Sequence, residues 1–363
     1  MNTTSIILFI IGLILLTGGA EILVRGASRI AVTAGITPLV VGLTVVAFGT
    51  SSPEMAVSVM AAFSGGAGSD IALGNVVGSN IFNILFILGL SAMITPLIVS
   101  LQLLRLDVPV MIGASIVMLL LALDGRVGRL DGIILFSGVI IYTIFVIYQG
   151  RKESRQNLKE FELEYGQPAK NKFQIALDLL LIFAGLALLV LGSNWLVKGA
   201  IEIAQFLGLS ELIISLTIVA AGTSLPEVAT SAIASLRGER DIAVGNIIGS
   251  NIFNILAVLG LSATVSPSGI GVSPVALGFD IPVMLAVAFI CLPVFFSGFL
   301  ITRTEGFMLM AYYVIYVSYL ILSATHHDSL GLFNTVIIFF VIPVTILTLT
   351  FAVYQQFRAK RKA

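Results

Sequence analysis

The chain has 363 residues, 58% of them hydrophobic and only 10% charged, with a formal net charge of zero and a mean hydropathy of +1.10. Soluble proteins carry about 25% charged residues, so this composition excludes a water-soluble fold and offers no basic surface for nucleic acid. A single cysteine, Cys291, excludes an internal disulfide or a cysteine-built metal site and reads as a small hydrophobe within a helix.

Crossing a bilayer takes about 20 apolar residues, and eleven runs qualify: 5–24, 36–63, 71–94, 107–123, 130–149, 174–197, 211–235, 242–265, 280–299, 305–324 and 332–354. The first four residues contain no Lys or Arg, so they lack the basic region of a signal peptide, and the first run is expected to persist as a span. One long polar stretch, Arg151 to Lys172, separates the fifth run from the sixth and reads as a solvated connector.

The halves on either side of that stretch repeat one another. Glu21-Ile22-Leu23-Val24-Arg25-Gly26-Ala27 matches Asn194-Trp195-Leu196-Val197-Lys198-Gly199-Ala200, and Asp70 to Leu85 matches Asp241 to Leu256. Asp107-Val108-Pro109 matches Asp280-Ile281-Pro282, and Arg129 to Gly132 matches Arg303 to Gly306. Each repeat holds five spans, an odd number, so the second must enter the membrane from the opposite side, as in many secondary transporters. The expected fold is an all-α polytopic membrane protein of two inverted five-helix repeats plus one extra C-terminal helix. Its parts are a first repeat over 1–150, a cytoplasmic loop over 151–173, a second repeat over 174–325, and the extra helix with a basic tail over 326–363. With the N-terminus outside, sixteen Lys and Arg fall on the cytoplasmic side and only Arg126, Arg129 and Lys198 on the other. The positive-inside rule therefore places the protein in the cell membrane with its C-terminus in the cytoplasm.

Two acids interrupt the apolar runs at matching places, in Gly49-Thr50-Ser51-Ser52-Pro53-Glu54 and Gly222-Thr223-Ser224-Leu225-Pro226-Glu227. An ionisable group at the bilayer centre costs roughly 2.5–3.5 kcal/mol on insertion scales, so its occurrence in both repeats points to use. Read as a continuous helix, Thr50, Ser51 and Glu54 share one face. Pro53 has no N–H for the Gly49 carbonyl, and Pro226 likewise leaves that of Gly222 without one. Each motif thus offers a carboxylate, two hydroxyls and a backbone oxygen. The third and eighth spans add Ser79 with Asn83 and Ser250 with Asn254, each pair at i, i+4, while Asn75 and Asn246 lie one turn earlier. Gly74 with Gly78 and Gly245 with Gly249 are spaced for close helix approach. Every candidate ligand is an oxygen, which suits hard cations such as Ca²⁺ with its roughly 6–8 oxygen ligands.

These two stretches resemble the alpha-repeats of the sodium/calcium exchanger family, within the cation/Ca²⁺ exchanger superfamily. The resemblance spans the first ten runs and is most specific at G-T-S-x-P-E and G-N-x-x-G-S-N-I-F-N, each present twice. It implies a Na⁺/Ca²⁺ antiporter, prokaryotic in type, that works by alternating access as the first and sixth helices slide. It makes Glu54 and Glu227 bridging carboxylates and Thr50, Ser51, Ser79, Thr223, Ser224 and Ser250 oxygen ligands, with Asn83 and Asn254 as polar participants. Some family members, the potassium-dependent ones included, carry Asp where this chain has Asn254, so the resemblance argues against a K⁺ requirement here. Na⁺ and Ca²⁺ enter as cargo rather than cofactors, and the bilayer is the only other partner implied. The same glutamates could serve a Ca²⁺/H⁺ exchanger, and a passive cation channel is the reading from another class. An intramembrane hydrolase lacks a third catalytic group and any reason to be duplicated, so no enzyme is expected.

The remaining charges have plainer expectations. Glu21 and Arg25 read as an interfacial pair, and Asp70 and Asp241 as acids favoured by helix N-termini. Asp107 and Asp280 read as N-caps ahead of a proline, and His326-His327-Asp328 as a solvated loop.

Overall fold

The computed structural model describes residues 3–64, 67–156, 172–206, 220–296, 298–341 and 343. The first half runs α1 (Thr3–Ala34), α2 (Pro38–Thr50), α3 (Ser52–Ser64), α4 (Ser69–Ile94), α5 (Leu103–Leu121) and α6 (Arg129–Gln156). The second runs α7 (Lys172–Phe206), a single turn at Ala220–Gly222, α8 (Leu225–Leu236), α9 (Arg240–Val265), α10 (Ala276–Phe296), α11 (Arg303–Ala324) and α12 (Leu330–Val336). Among the described residues eight helices are long and apolar enough to cross a membrane, and α2 with α3 make a ninth, broken span. This is a polytopic all-α membrane protein. The first half of the expected seventh span, most of the connecting loop, the end of the eleventh span and the basic tail lie outside the described residues.

The expected second span is not one helix. It bends by 45° between α2 and α3, at Ser51 with φ −78° and ψ 4°. Ser224, at φ −88° and ψ 8°, makes the same break ahead of α8. Both breaks fall two residues before the proline, whose ring crowds the carbonyl four residues back and whose nitrogen donates nothing. Irregular backbone at membrane depth survives only inside protein or beside a cavity, and both serines are fully buried.

Inversion of the halves is visible in α1 and α7, which correspond in sequence and pack antiparallel. Gly12, Gly19 and Gly26 on α1, each seven residues apart, face Gly192, Gly185 and the Asp178–Ile182 turn of α7. A Cβ at Gly19 would stand 2.9 Å from the Gly185 carbonyl, and one at Gly192 2.6 Å from the Leu16 nitrogen, so the two backbones touch along a smooth seam. Arg29 pairs with buried Asp178 at 3.5 Å at one end of the seam, and the Ser5 hydroxyl donates to Glu202 at the other. Two clips also join the halves: β1 (Leu97–Ile98) pairs with β4 (Leu300–Ile301), and β2 (Arg126–Val127) with β3 (Ile270–Gly271).

The centre of the molecule is α4 against α9, whose most apolar window is buried throughout. Both switch to π-helical turns at equivalent places, Asn83–Leu88 and Asn254–Leu259. Gly245 and Gly249 pack on the α2 backbone as expected, while Gly74 and Gly78 have no close neighbour among the described residues. Around this centre the symmetry is incomplete. Helix α1 packs along α8, whereas α7 has no comparable packing on α3. On the α1–α8 side Glu21 pairs with Arg25 at 2.7 Å and also with Arg237 of the loop after α8.

The N-cap expectation for Asp107 fails. Asp107 closes a π-helical turn, Leu103–Asp107, and makes no capping hydrogen bond. Its buried carboxylate instead accepts from the Tyr142 hydroxyl at 3.0 Å and from Gln102 at 3.3 Å. Asp280 ends the equivalent π-helical turn, Ala276–Asp280. Each π turn runs directly into the helix that follows, with Asp107 itself at helical φ −73° and ψ −41°, so neither acid stands at a helix end that it could cap. His326, His327 and Asp328 are exposed, and Cys291 is buried inside α10, both as expected.

Candidate cation site

Glu54 stands in the first turn of α3 and Glu227 in the first turn of α8, both about 1% exposed. The breaks at Ser51 and Ser224 point these turns inward, where α4 and α9 cross. Each carboxylate accepts a hydroxyl from the opposite repeat: Ser224 Oγ donates to Glu54 Oε1 at 2.9 Å, and Ser51 Oγ to Glu227 Oε1 at 3.2 Å. The two acids are thus held next to one another through the serine three residues before each. Ser79 Oγ on α4 lies 3.1 Å from Ser224 Oγ. Thr50, Ser51, Ser79, Asn83, Ser224, Ser250 and Asn254 are all buried, and Thr223 is half-buried.

A second layer supports these groups. The Thr50 hydroxyl donates to Asn246 Oδ1 at 3.0 Å, and Asn246 Nδ2 donates to Ser231 Oγ at 3.0 Å. Its mirror image is Thr223 donating to Asn75 Oδ1 at 3.3 Å while Asn75 Nδ2 donates to Ser58 Oγ at 2.9 Å. Asn75 Nδ2 also reaches the Glu54 carbonyl at 3.1 Å. Gly49 and Gly222 serve packing as well as breaking the helix, since a Cβ at either would press on Leu186 or Val197 of α7 at 2.6 Å and 2.7 Å.

Sequence reasoning missed four polar residues here. Asn80 and Asn251 join the amide cluster: Asn254 Nδ2 donates to Asn80 Oδ1 at 3.1 Å, Asn83 Nδ2 to Asn251 Oδ1 at 3.4 Å, and Asn80 Nδ2 to the Asn251 carbonyl at 3.3 Å. Ser58 and Ser231 hold the amides of Asn75 and Asn246. The signal for the asparagines lay in the repeated Gly-Ser-Asn-Ile-Phe-Asn itself, whose first Asn stands at i, i+3 from the second, the spacing that also relates Ser51 to Glu54. For the serines it lay one turn beyond Glu54 and Glu227, at i+4 in both repeats.

Five buried oxygens of the cluster have no hydrogen-bond partner: Glu54 Oε2, Glu227 Oε2, Asn83 Oδ1, Asn254 Oδ1 and Ser250 Oγ. Among the described residues no three His, Cys, Asp or Glu side chains gather anywhere, so two carboxylates are the only acids in this oxygen set.

The sequence profile described as "Sodium/calcium exchanger protein" matches residues 4–148 and again 177–322. The chain belongs to the sodium/calcium exchanger family. The exchanger is 40% identical to the putative antiporter CaxA of Alkalimonas amylolytica over 323 residues, covering 88% of this chain and 98% of that protein. It is 32% identical to the sodium/calcium exchanger MaX1 of Methanosarcina acetivorans over 348 residues, covering 87% and 98%. Among solved structures, the sodium-calcium exchanger NCX_Mj soaked with Na⁺ and Ca²⁺ superposes with a TM-score of 0.74 at 31% identity, covering 88% of this chain and 99% of that one. The exchanger is thus a multi-pass membrane transporter, not an enzyme.

Proposed function

We propose that the exchanger moves Ca²⁺ against Na⁺ across the cell membrane at one shared site between α2–α3, α4, α8 and α9. The single observation that carries this reading is the set of five unpartnered buried oxygens around Glu54 and Glu227. A buried acceptor without a partner costs about 1–3 kcal/mol, and more when charged. Five such oxygens gathered around two carboxylates suit a ligand that takes up their lone pairs together, as a hard cation does. Glu54 and Glu227 supply two negative charges, which one Ca²⁺ or two Na⁺ neutralise. Thr50, Ser51, Ser79, Thr223, Ser224 and Ser250 supply hydroxyl oxygens, Asn83 and Asn254 amide oxygens, and Gly49 and Gly222 carbonyls. Because both ions need the same carboxylates, occupancy by one excludes the other. That exclusion is the physical basis of exchange.

Alternating access follows from the helix seam. Helices α1 and α7 meet through glycines, so one can move past the cluster with little interdigitation to undo. The packing of α1 on α8, without an equivalent for α7 on α3, is one of two mirror-related arrangements, closed on the α8 side. With the N-terminus outside, as the distribution of Lys and Arg favours, the closed side faces the cytoplasm. In this reading the five-helix repeats occupy 1–150 and 174–325, joined by a cytoplasmic loop.

The experiment is Ca²⁺ uptake into proteoliposomes with pH and voltage clamped. Uptake should follow the outward Na⁺ gradient and stop without Na⁺. Uptake driven by a proton gradient alone would instead establish Ca²⁺/H⁺ exchange, and flux without any counter-ion a channel.

A further inference from the structure

We propose that the groove between α10 and α11, roofed by α12, binds one lipophilic organic cation, its ammonium group between Asp280 and a wall of tyrosines and its hydrocarbon tail under α12. The pocket has a volume of about 410 Å³, within the roughly 300–1,000 Å³ usual for small-molecule sites. Three stripes of side chains build it. Val283, Val287 and Ile290 line it from α10, and Asp280 heads the same stripe, at i, i+3 from Val283. Tyr312, Tyr316 and Tyr319 line it from α11 at steps of four and three. Asn334, Ile337 and Ile338, from α12 and the π turn after it, cover the opening. Helix α12 lies beyond residue 322, where the second family match ends, so this roof belongs to the chain's own extension.

Comparison of the repeats shows why this acid is available. Asp107 and Asp280 are equivalent, as are Tyr142 and Tyr316. In the first repeat the carboxylate is buried and satisfied, by the Tyr142 hydroxyl at 3.0 Å and by Gln102 at 3.3 Å. In the second, Val275 stands where the first has Gln102, and Asp280 is only half-buried. Its carboxylate has no hydrogen bond and no ion pair among the described residues, although Tyr316 is within its electrostatic reach. A partly buried carboxylate without a partner is unfavourable, and a cation seated beside it relieves that. The rings are already in place: Phe279 packs on Tyr319 with centroids 4.5 Å apart, and Tyr312 and Tyr316 extend the aromatic wall. Aromatic faces attract cations, and quaternary ammonium groups are recognised in this way. A hydrated metal ion would gain nothing from the valines and isoleucines below, whereas a hydrocarbon tail would. Phe279 to Ile290 cover about 16 Å of helix at 1.5 Å per residue, room for a medium-length alkyl chain. A phosphate beside the ammonium would be repelled by Asp280, so the ligand that fits is a cation without one.

The test titrates decyltrimethylammonium into the full chain in maltoside micelles, with protein-free micelles as the blank, and follows binding by isothermal calorimetry. The wild type should bind one ammonium per chain, saturably. Decanol, with the same tail and no charge, should bind about 10-fold more weakly. Decylphosphocholine, which adds a phosphate to the same ammonium, should also bind more weakly. Asp280→Asn should weaken the ammonium about 10-fold and leave thermal unfolding unchanged, since the carboxylate holds no internal partner. Tyr316→Leu, which removes one ring, should weaken it about 5-fold. Undiminished binding to Asp280→Asn would place the ammonium elsewhere and overturn the proposal. Should that variant fail to fold, the headgroup series on the wild type decides alone. Decanol bound as tightly as the ammonium would reduce the pocket to an apolar cleft, and decylphosphocholine bound as tightly would make a lipid headgroup the occupant; either result overturns the proposal.

Discussion

Ser224 and Ser250 both belong to the candidate cation site and have opposite hydrogen-bonding states, which makes them a useful pair. Ser224 holds Glu54 with a hydroxyl at 2.9 Å, whereas Ser250 Oγ has no partner. A hydrogen bond to a charged group is worth about 1.5–3 kcal/mol, so Ser224→Ala should raise the Ca²⁺ concentration for half-maximal uptake by roughly 10- to 100-fold. Ser250→Ala removes no internal bond and should leave thermal unfolding unchanged while weakening ion binding, which isothermal titration of the purified protein would detect. Glu54→Gln and Glu227→Gln should each abolish Ca²⁺ uptake in proteoliposomes yet remain inserted; normal exchange by either would remove it from the site. At this scale the two acids and their hydroxyls were legible because an acid in an apolar run stands out. Asn80 and Asn251 stand at i, i+3 from Asn83 and Asn254 and so were open to the same spacing argument; what needed the fold is that their amides bond one another across α4 and α9.

Helices α1 and α7 carry no candidate ligand, and their contribution is shape. The glycine seam leaves no room for a side chain, so Gly192→Val should lower both thermal stability and exchange rate. Overpacking of this kind costs typically 1–3 kcal/mol, measurable as a shift in thermal unfolding. Gly18, one residue from the seam, has nothing within 4 Å of an added Cβ, and Gly18→Ala should be silent or slightly stabilising. Glu21 ties α1 to Arg237 beyond α8 on the closed side. Glu21→Gln should loosen that side, seen as faster amide exchange in α8 without a change in the ligand cluster. The seven-residue spacing of glycines was present in both repeats, but a glycine pattern names no partner helix. Proline alone signalled the weakness at Gly49 and Gly222. The 45° bend, the capture of both broken ends by α4 and α9, and the diversion of Asp107 to Tyr142 needed three-dimensional neighbours.

For the molecule as a whole, duplication is the organising fact, and α12 stands outside it. Removing residues 331–363 should leave Na⁺-dependent Ca²⁺ uptake largely intact, since α12 covers the α10–α11 groove and adds nothing to the cluster; loss of uptake in a well-folded truncation would show that the cover is required. By itself the sequence determined that this chain spans a membrane many times, that its halves repeat, and that each half buries one carboxylate beside hydroxyls. Hydropathy and internal identity are properties of the chain read along its length, and bilayer thickness turns them directly into spans. Only the tertiary structure decided which serine meets which glutamate, which oxygens are left without partners, and on which side α1 closes against α8. Those depend on contacts between residues about 170 positions apart, where symmetry in sequence permits two mirror-related packings and the fold adopts one.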